Sequence, residues 1–290
     1  MTAAGVYSVS LLHGGGGSKL DVSGRYEALL ARLAELESLL VAYSGGVDST
    51  LLAVAAHAVL GRRCLAVLAV SDVCSQSETD KARSLAQNLG LALLEVETHE
   101  LIDPAFRENS TDRCYYCKSE LFALLVRVAE VEGLAHVADG SNADDARDYR
   151  PGRRAAAEFG VLSPLMEAGL TKPEIRELAR SLGLPNWSKP SMACLASRFP
   201  YGEPITEERL AMVGTAENAL RKMGLRQFRV RAHGDVARLE VDTPDMERAW
   251  SMRAAISDAI KRAGFAYVAQ DLDGYRAGSL NETLGSSRDD

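Results

Sequence analysis

The chain has 290 residues, of which 47% are apolar and 25% are charged, as in ordinary globular proteins. Its net charge of −7, with no run of Lys or Arg, argues against non-specific nucleic-acid binding, and no apolar stretch approaches the roughly 20 residues of a membrane span. Five cysteines without a secretory signal indicate reduced thiols and a cytoplasmic location. Residues 1–23, with their glycine run, and residues 283–290 are predicted to be disordered tails.

From Arg25 onward, helical and extended patterns alternate along the chain. Continuous apolar runs predict four strands, at 39–43, 64–70, 92–97 and 136–139. Apolar stripes at helical spacing predict helices that start near Arg25, at Thr50, after a capping box at Ser77, at Leu121 and after Thr171. This alternation predicts right-handed βαβ units and an α/β fold with a parallel sheet covered on both faces.

The pattern changes near Pro204, so we expect one domain over 24–203 and a smaller α+β domain over 204–282. In the second domain a helix over 206–223 is followed by two strands, 228–233 and 236–241, which alternate with period two around a Gly-Asp turn. A helix capped by Thr243 and a last strand over 267–272 complete the prediction.

The segment Ser44-Gly-Gly-Val-Asp-Ser49 lies between a predicted strand and a predicted helix. Adjacent glycines allow a tight turn whose N–H groups approach an anion, and the helix adds its positive N-terminal end. Ser44 and Ser49 add hydroxyl donors, and Asp48 can hold Mg²⁺ against phosphate oxygens. No Gly-Lys-Ser/Thr follows, so the segment is not a Walker A loop and its natural occupant is pyrophosphate. The plainer alternative is an ordinary strand-to-helix turn.

The loop resembles that of the PP-loop ATP pyrophosphatase superfamily, which has the adenine nucleotide alpha hydrolase-like fold and includes NAD synthase, GMP synthetase and tRNA thiolation enzymes. The resemblance implies that ATP is cleaved between its α and β phosphates and that a substrate oxygen is adenylated. By analogy with this fold, two residues that follow the second strand are also expected to line the adenine side of the ATP pocket. The residues expected to bind ATP and its pyrophosphate are Ser44, Gly45, Gly46, Val47, Asp48, Ser49, Ser71 and Asp72.

The cysteines offer several kinds of chemistry. Cys114 and Cys117 form a C-x-x-C pair near the expected start of a helix, and Cys194 lies in a loop of poor helix character. Three thiolates would suit a 4Fe–4S cluster with one iron open to an exogenous ligand. A redox pair or half of a zinc site are the alternatives, although no fourth zinc ligand can be chosen from the sequence. Cys64, inside an apolar strand, is predicted to be inert, and Cys74 receives no role.

Five segments together resemble the ATP-dependent sacrificial sulfur transferase (LarE) family over roughly residues 25–282. They are Asp112–Lys118, Asp139–Asp145, Asp148–Gly152, Pro190–Arg198 and Asp271–Arg276. The resemblance implies adenylation of pyridinium-3,5-biscarboxylic acid mononucleotide and its conversion to thiocarboxylates during synthesis of the nickel-pincer nucleotide of lactate racemase. In one-cysteine members the cysteine matching Cys194 gives up its own sulfur. This chain is similar to the three-cysteine branch, in which Cys114, Cys117 and Cys194 would hold a 4Fe–4S cluster.

Further polar residues lie in these segments or beside them. Arg198 is expected to stabilise the Cys194 thiolate. Substrate contacts are expected from residues after the fourth strand and from arginines suited to bidentate phosphate binding: Asn142, Asp145, Asp148, Arg150, Arg229 and Arg231. For the first three the alternative is a turn or cap role. For Arg150 it is a solvated basic face, and for Arg229 and Arg231 it is exposure on a half-buried strand.

The leading functional hypothesis is therefore an ATP- and Mg²⁺-dependent sulfur transferase with a small nucleotide substrate. Family resemblance also implies a hexamer, and partner enzymes of cofactor biosynthesis are possible. The alternatives are another PP-loop enzyme, either a tRNA thiolase or an ammonia-using ligase, and a zinc-binding, nucleotide-sensing module without catalysis. The acidic balance argues against tRNA, and the three cysteines argue against plain ammonia chemistry.

Overall fold

A computed structural model describes residues 21–147, 151–190, 193–276 and 279–280. Contacts divide them into a first unit (21–71, 78–98, 114–147 and 151–190) and a second unit (72–77, 99–113, 193–276 and 279–280). Two short segments from the N-terminal half of the chain therefore pack with its C-terminal part. The division into continuous domains at 203/204 remains a proposal.

The first unit contains a parallel four-stranded sheet, as the sequence predicts. Its strands are β1 Leu39–Tyr43, β2 Cys64–Val70, β3 Leu93–Glu97 and β4 His136–Ala138. They lie in the order β3-β2-β1-β4, and Leu39 pairs with Cys64 on one side and His136 on the other. Because the chain moves from β1 to β2 and β3 on one side and then returns to β4 on the other, the order reverses between β1 and β4. Ligands bind at such a switch point in open α/β sheets.

Eight helices occur in the described chain before residue 190. They are α1 Val22–Ala34, α2 Val47–Leu60, α3 Gln76–Asn88, α4 Pro104–Arg107, α5 Arg113–Glu132, α6 Gly152–Glu158, α7 Pro164–Glu167 and α8 Lys172–Ser181. Side chains of β1 alternate between two apolar cores. Leu39 and Val41 pack in the core that contains α2, whereas Leu40 packs with Phe122 and Leu125 of α5. The sheet is thus covered on both faces.

Three helix starts differ from the prediction, and the smallest difference is in α2, which begins at Val47 instead of Thr50. Helix α5 begins at Arg113 instead of Leu121, because its first turns are polar and aromatic and lack an apolar stripe. Helix α3 begins at Gln76, so Ser77 lies inside the helix and is not the N-cap; its hydroxyl contacts Ser75 and Asn218. Helix α8, by contrast, begins after Thr171 as predicted, and Thr171 forms a capping box with Glu174 there.

The second unit contains a smaller mixed sheet, as expected for its α+β pattern. Its main elements are α9 Glu207–Lys222, β5 Phe228–His233, β6 Val236–Val241, α10 Met246–Ser251, α11 Arg253–Arg262 and β7 Tyr267–Gln270. β5 and β6 form the predicted antiparallel hairpin, and β7 adds in parallel to β6. The single helix predicted from Thr243 is wrong: Thr243–Asp245 is a 3-10 turn, and α10 ends where Met252 leaves helical geometry. None of the helices in the described ranges is long and apolar enough to cross a membrane.

Candidate active site

The phosphate loop runs from the carboxyl end of β1 into the first turn of α2. Gly46 is the N-cap of α2 and has extended backbone, and no side chain caps the helix. The N–H of Thr50 makes the first helical bond, to the Gly46 carbonyl at 3.0 Å. The N–H groups of Val47, Asp48 and Ser49 precede that bond in the first turn, where a helix binds anions.

Two serine hydroxyl groups also form hydrogen bonds within the loop. The hydroxyls of Ser44 and Ser49 lie 3.1 Å apart, and the Ser44 N–H donates to the Ser49 hydroxyl at 3.2 Å. The Ser49 hydroxyl also reaches the Gly46 carbonyl, at 3.3 Å. These bonds fix the turn while its hydroxyls stay near the helix start.

Two glycines, one in the loop and one beside it, are required because a side chain at either position would clash with neighbouring atoms. Gly45 has φ +66°, and a Cβ there would lie 2.6 Å from the Cβ of Ala82 on α3. Gly140 follows β4, and a Cβ there would lie 2.9 Å from the Ser49 nitrogen. The lack of a side chain at Gly45 therefore lets the loop lie against α3, and at Gly140 it lets the chain after β4 approach the first turn of α2.

Asp48 carries the charge of the loop and has two polar side-chain partners among the described residues. Its carboxylate forms an ion pair with the Lys172 ammonium at the start of α8. The Asn142 side-chain amide donates to the other oxygen of Asp48 at 3.4 Å. Asn142 thus lies beside the loop, and its contact with substrate stays a prediction, whereas Lys172 was not predicted. Because 124 residues separate Lys172 from Asp48, no local pattern indicates the pair.

The carboxylates in the turn after β4 accept hydrogen bonds from main-chain N–H groups. Asp145 is buried, and its carboxylate accepts from the Asn142 N–H at 3.0 Å. The side-chain oxygen of Asn142 accepts from the Asp144 N–H at 3.0 Å, and the Asp144 carboxylate accepts from the Lys172 N–H at 2.8 Å. Asp145 therefore caps its own turn, and its contact with substrate stays a prediction. Asp148 and Arg150 lie outside the described residues.

A cleft of about 280 Å³ includes Gly45 in its lining. Its lining residues are Gly45, Lys81, Leu85, Pro185, Asn186, Ser188 and Lys189. The buried Asn186 amide donates to the Thr50 hydroxyl at 3.0 Å, and the Lys189 ammonium reaches the Gly45 carbonyl at 3.1 Å and Glu78 at 2.9 Å. Burial opposes ionisation of Glu78, but hydrogen bonds from Lys81 and Lys189 lower its pKa overall. Sequence reasoning missed Asn186 and Lys189, which also contact the loop over long sequence distances.

The paired cysteines lie at the start of α5, as predicted. Cys114 is exposed and Cys117 is half-buried, and their spacing of three residues puts them on one side of the helix. Cys64 differs from them, because burial raises the pKa of its thiol to about 12. A thiol with so high a pKa is protonated at neutral pH, as suits a core residue.

Cys194, in the second unit, is held by its main chain. It precedes a 3-10 turn, Leu195–Arg198, and the Leu195 N–H donates to the Val73 carbonyl at 2.8 Å. Cys194 itself is half-buried and Cys74 is exposed. Of the residues expected on the adenine side, Ser71 is half-buried in the first unit and Asp72 is exposed in the second.

Arg198 is fully buried and forms a two-bond ion pair with Glu217 of α9, at 2.8 and 3.0 Å. Its remaining nitrogen donates to the carbonyls of Ala193 and Cys194, at 2.9 and 3.0 Å. Burial opposes ionisation of Glu217, but Arg198 and Arg221 lower its pKa overall. Arg198 thus binds the backbone of the Cys194 loop, and its effect on the thiolate remains a prediction.

Arg229 and Arg231 on β5 are buried, so the alternative of exposure on a half-buried strand is wrong. Arg231 forms an ion pair with Glu240 at 2.8 Å and donates to the Ser197 carbonyl at 2.7 Å. Arg229 lies over the ring of Tyr275, and burial, reinforced by neighbouring arginines, lowers the pKa of its guanidinium. An anion bound beside Arg229 would relieve this crowding of positive charge.

Within the described residues, no group of three His, Cys, Asp or Glu side chains is arranged to hold a metal ion. Cys114 and Cys117 belong to the first unit, whereas Cys194 belongs to the second. The three-cysteine cluster therefore stays a prediction.

The Ser-Gly-Gly-Val-Asp-Ser loop between a parallel strand and a helix, at the switch point of the sheet, is typical of PP-loop nucleotide-binding proteins. The family model described as NAD synthase matches residues 30–121, which contain this loop. The chain is 40% identical to the pyridinium-3,5-bisthiocarboxylic acid mononucleotide synthase of Lactiplantibacillus plantarum, over 88% of this chain and 93% of that protein. The chain belongs to that family of ATP-dependent sulfur transferases, the LarE family.

Two other relatives have a higher and a lower sequence identity to this chain than that synthase. The uncharacterized protein slr1717 of Synechocystis is 44% identical, over 91% of this chain and 99% of its own length. One subunit of the glutamine-hydrolyzing GMP synthase of Archaeoglobus fulgidus is 28% identical over only 61% of this chain and 59% of its own length. The similarity to the bisthiocarboxylate synthase thus extends over more of the chain than the similarity to this GMP synthase.

Proposed function

We propose that this enzyme uses ATP to adenylate the carboxylates of pyridinium-3,5-biscarboxylic acid mononucleotide and converts them to thiocarboxylates in nickel-pincer nucleotide biosynthesis. The 40% identity to the synthase of the bisthiocarboxylate nucleotide carries this proposal. The phosphate loop at the switch point of the sheet supplies its physical basis, because it offers free helix N–H groups where ATP phosphates would bind.

Adenylation is the first half of the proposed reaction. The N–H groups of Val47, Asp48 and Ser49 would hold the β and γ phosphates, and the Asp48 carboxylate would hold Mg²⁺ against phosphate oxygens. A substrate carboxylate oxygen then attacks the α-phosphorus, and pyrophosphate leaves with the electron pair of the broken P–O bond. Asn142 holds the Asp48 side chain in place for this step.

Sulfur transfer is the second half, and Cys194 is central to it. In the sacrificial route the Cys194 thiolate attacks the adenylated carbonyl carbon and expels AMP. The Cβ–S bond then breaks with loss of the α-proton, which leaves a thiocarboxylate and dehydroalanine. Arg198 supports either route because it donates to the Cys194 carbonyl while it is itself held by Glu217 in a buried ion pair.

We favour a route in which Cys194 is preserved. Cys114, Cys117 and Cys194 are exposed or half-buried thiols, and two of them share one helical turn, which fits the donor set of a 4Fe–4S cluster. Such a cluster, when bound, would carry a sulfide on its open iron. Arg229, with Arg231 beside it, would bind the phosphate of the substrate.

We further propose that the enzyme is a cytoplasmic homo-oligomer, a hexamer by family resemblance. Reduced thiols suit the cytoplasm. The described part of the second unit exposes four large apolar side chains, Ile102, Trp250, Tyr267 and Leu272, which supports self-association. The mass of the protein in solution, measured by light scattering, tests the oligomer.

The decisive experiment is anaerobic reconstitution with iron and sulfide, followed by reaction with ATP, Mg²⁺ and the biscarboxylate nucleotide. We expect AMP, pyrophosphate and a nucleotide whose mass rises by the difference between sulfur and oxygen at each carboxylate. Intact-protein mass spectrometry separates the routes, since loss of hydrogen sulfide from Cys194 marks the sacrificial one. Adenylation of tRNA or amide formation from ammonia, without thiolated nucleotide, would instead support another PP-loop enzyme.

A further inference from the structure

Two cysteines of the second unit flank one main-chain hydrogen bond. The N–H of Leu195 donates to the carbonyl of Val73 at 2.8 Å. Cys194 precedes the donor residue and Cys74 follows the acceptor residue, so each cysteine belongs to one of the two bonded peptide groups. Standard backbone dimensions then put the two cysteine Cα atoms roughly 5–7 Å apart. That separation overlaps the range of about 4.4–6.8 Å over which disulfides form.

Both thiols are accessible, and both cysteines lie outside regular secondary structure. Cys74 is exposed, in the connection that follows β2, and Cys194 is half-buried, directly before the 3-10 turn. A small adjustment of either main chain therefore breaks no helix or strand. The Cys194 side is also held in place, because Arg198 donates to the Cys194 carbonyl at 3.0 Å. Two thiols that are kept near each other in this way react as if they were at high concentration.

We propose that Cys74 and Cys194 form a reversible disulfide when the protein meets a peroxide, with Cys74 as the resolving thiol. The Cys194 thiolate attacks one peroxide oxygen, the O–O bond breaks, and a sulfenic acid and hydroxide form. The Cys74 thiolate then attacks that sulfur, so the S–S bond forms while the S–O bond breaks and its electron pair leaves with hydroxide. The two sulfurs together lose two electrons, which the peroxide accepts. A dithiol reductant returns both thiols.

The disulfide has two consequences for Cys194. While it lasts, the sulfur of Cys194 is unavailable for the sulfur transfer proposed above. It also protects that sulfur, because a sulfenic acid without a resolving thiol is oxidised further to sulfinic and sulfonic acids, which thiols do not reduce. Thiol oxidation needs neither ATP nor the nucleotide substrate, so the disulfide is independent of the proposed function.

The other cysteines show how the partner of Cys194 can be identified. Trypsin leaves Cys64 in the same peptide as Cys74, residues 64–81, whereas Cys194 lies in the peptide of residues 181–198. Cys64 is buried, and its thiol, with a pKa of about 12, is protonated at neutral pH and is a poor nucleophile. Cys114 and Cys117 share a third peptide, residues 114–118. Each possible link to Cys194 therefore gives its own peptide pair or its own fragment ions.

The test is hydrogen peroxide treatment of the reduced full-length protein, followed by N-ethylmaleimide to block the remaining thiols and mass spectrometry of the unreduced tryptic peptides. We expect peptide 64–81 linked to peptide 181–198, with fragment ions that assign the bond to Cys74 and Cys194. Cys74→Ser should abolish the linked pair, and its Cys194 should accumulate as sulfinic acid that dithiothreitol does not reduce. Cys117→Ser, the matched control, removes a half-buried thiol outside the pair and should form the link as the unchanged protein does.

A bond from Cys194 to Cys64, Cys114 or Cys117 in place of Cys74 would overturn the inference. So would sulfinic acid at Cys194 of the unchanged protein with no linked pair at any peroxide concentration. A link that forms only in urea would belong to the unfolded chain and would also contradict the proposal. Should Cys74→Ser not fold, the unchanged protein decides by itself, because the bond is assigned from its own fragment ions.

Discussion

The phosphate loop of the first unit and the Cys194 loop of the second are held by different kinds of interaction. The phosphate loop depends on main-chain N–H groups, two hydroxyls and a partly exposed ion pair to Lys172. The Cys194 loop is anchored by an arginine–glutamate pair whose side chains are 1% and 0% exposed. A loop that must accept and release a polyanion keeps its donors accessible, whereas one that presents a thiol benefits from fully neutralised, rigid support.

The largest expected effect lies in the phosphate loop. Asp48→Asn should abolish pyrophosphate release, with a rate loss of at least about 100-fold, because the magnesium-bridged phosphates lose their anchor. A coupled assay for pyrophosphate measures it. Asp80→Asn, which changes an exposed carboxylate paired with Arg83 on α3, is the control and should keep its rate. Unchanged turnover in Asp48→Asn would refute the phosphate-loop assignment.

The cysteine pair of α5 should separate the two half-reactions. Cys114→Ala is expected to remove the visible absorbance of an iron–sulfur cluster after anaerobic reconstitution while adenylation continues. Absorbance and AMP release are the two measurements. Cys74→Ala, which removes another exposed thiol, should retain both. Thiolated product at a normal rate from Cys114→Ala would favour the sacrificial route through Cys194.

The buried pair beside Cys194 should matter mainly for stability. Glu217→Gln is expected to lower the free energy of unfolding by about 3–5 kcal/mol, because it leaves the Arg198 charge buried and uncompensated. Chemical denaturation measures the loss. Glu207→Gln, at an exposed position on the same helix, should cost less than about 1 kcal/mol. Equal effects would mean that the buried pair does not support the loop.

The same pair predicts a pH dependence. The pKa of Glu217 is lower in the folded chain than its ordinary value of 4.5. Its stabilisation is therefore fully present above about pH 4.5 and is lost as pH falls through the lower folded pKa. Denaturation of the unchanged protein over this range should show the loss, and Glu217→Gln should lack that component.

The smallest effect concerns the turn of the phosphate loop. Gly45→Ala and Gly90→Ala both introduce a side chain at a positive φ, +66° and +68°. Only the first also meets a neighbour, since nothing lies within 4 Å of a Cβ at Gly90. Gly45→Ala should therefore be less stable than Gly90→Ala by about 1–3 kcal/mol, as thermal unfolding would show. Identical losses would indicate that α3 moves away freely.

The sequence by itself determined the sheet, the strand-to-helix phosphate loop and the place of Cys114 and Cys117 near the start of a helix. These features depend on local periodicity and on residues that are consecutive in the chain, such as the two glycines of the loop. The later helix start assigned to α5 was wrong because polar first turns lack an apolar stripe.

Only the tertiary structure decided which charges meet. Lys172 reaches Asp48 and Lys189 reaches Gly45 across 124 and 144 residues, and Arg231 on β5 is buried because Glu240 of the neighbouring strand neutralises it. The chain's pattern shows which residues carry charge, but an ion pair depends on distance and desolvation. Those quantities exist only once the strands and helices have packed.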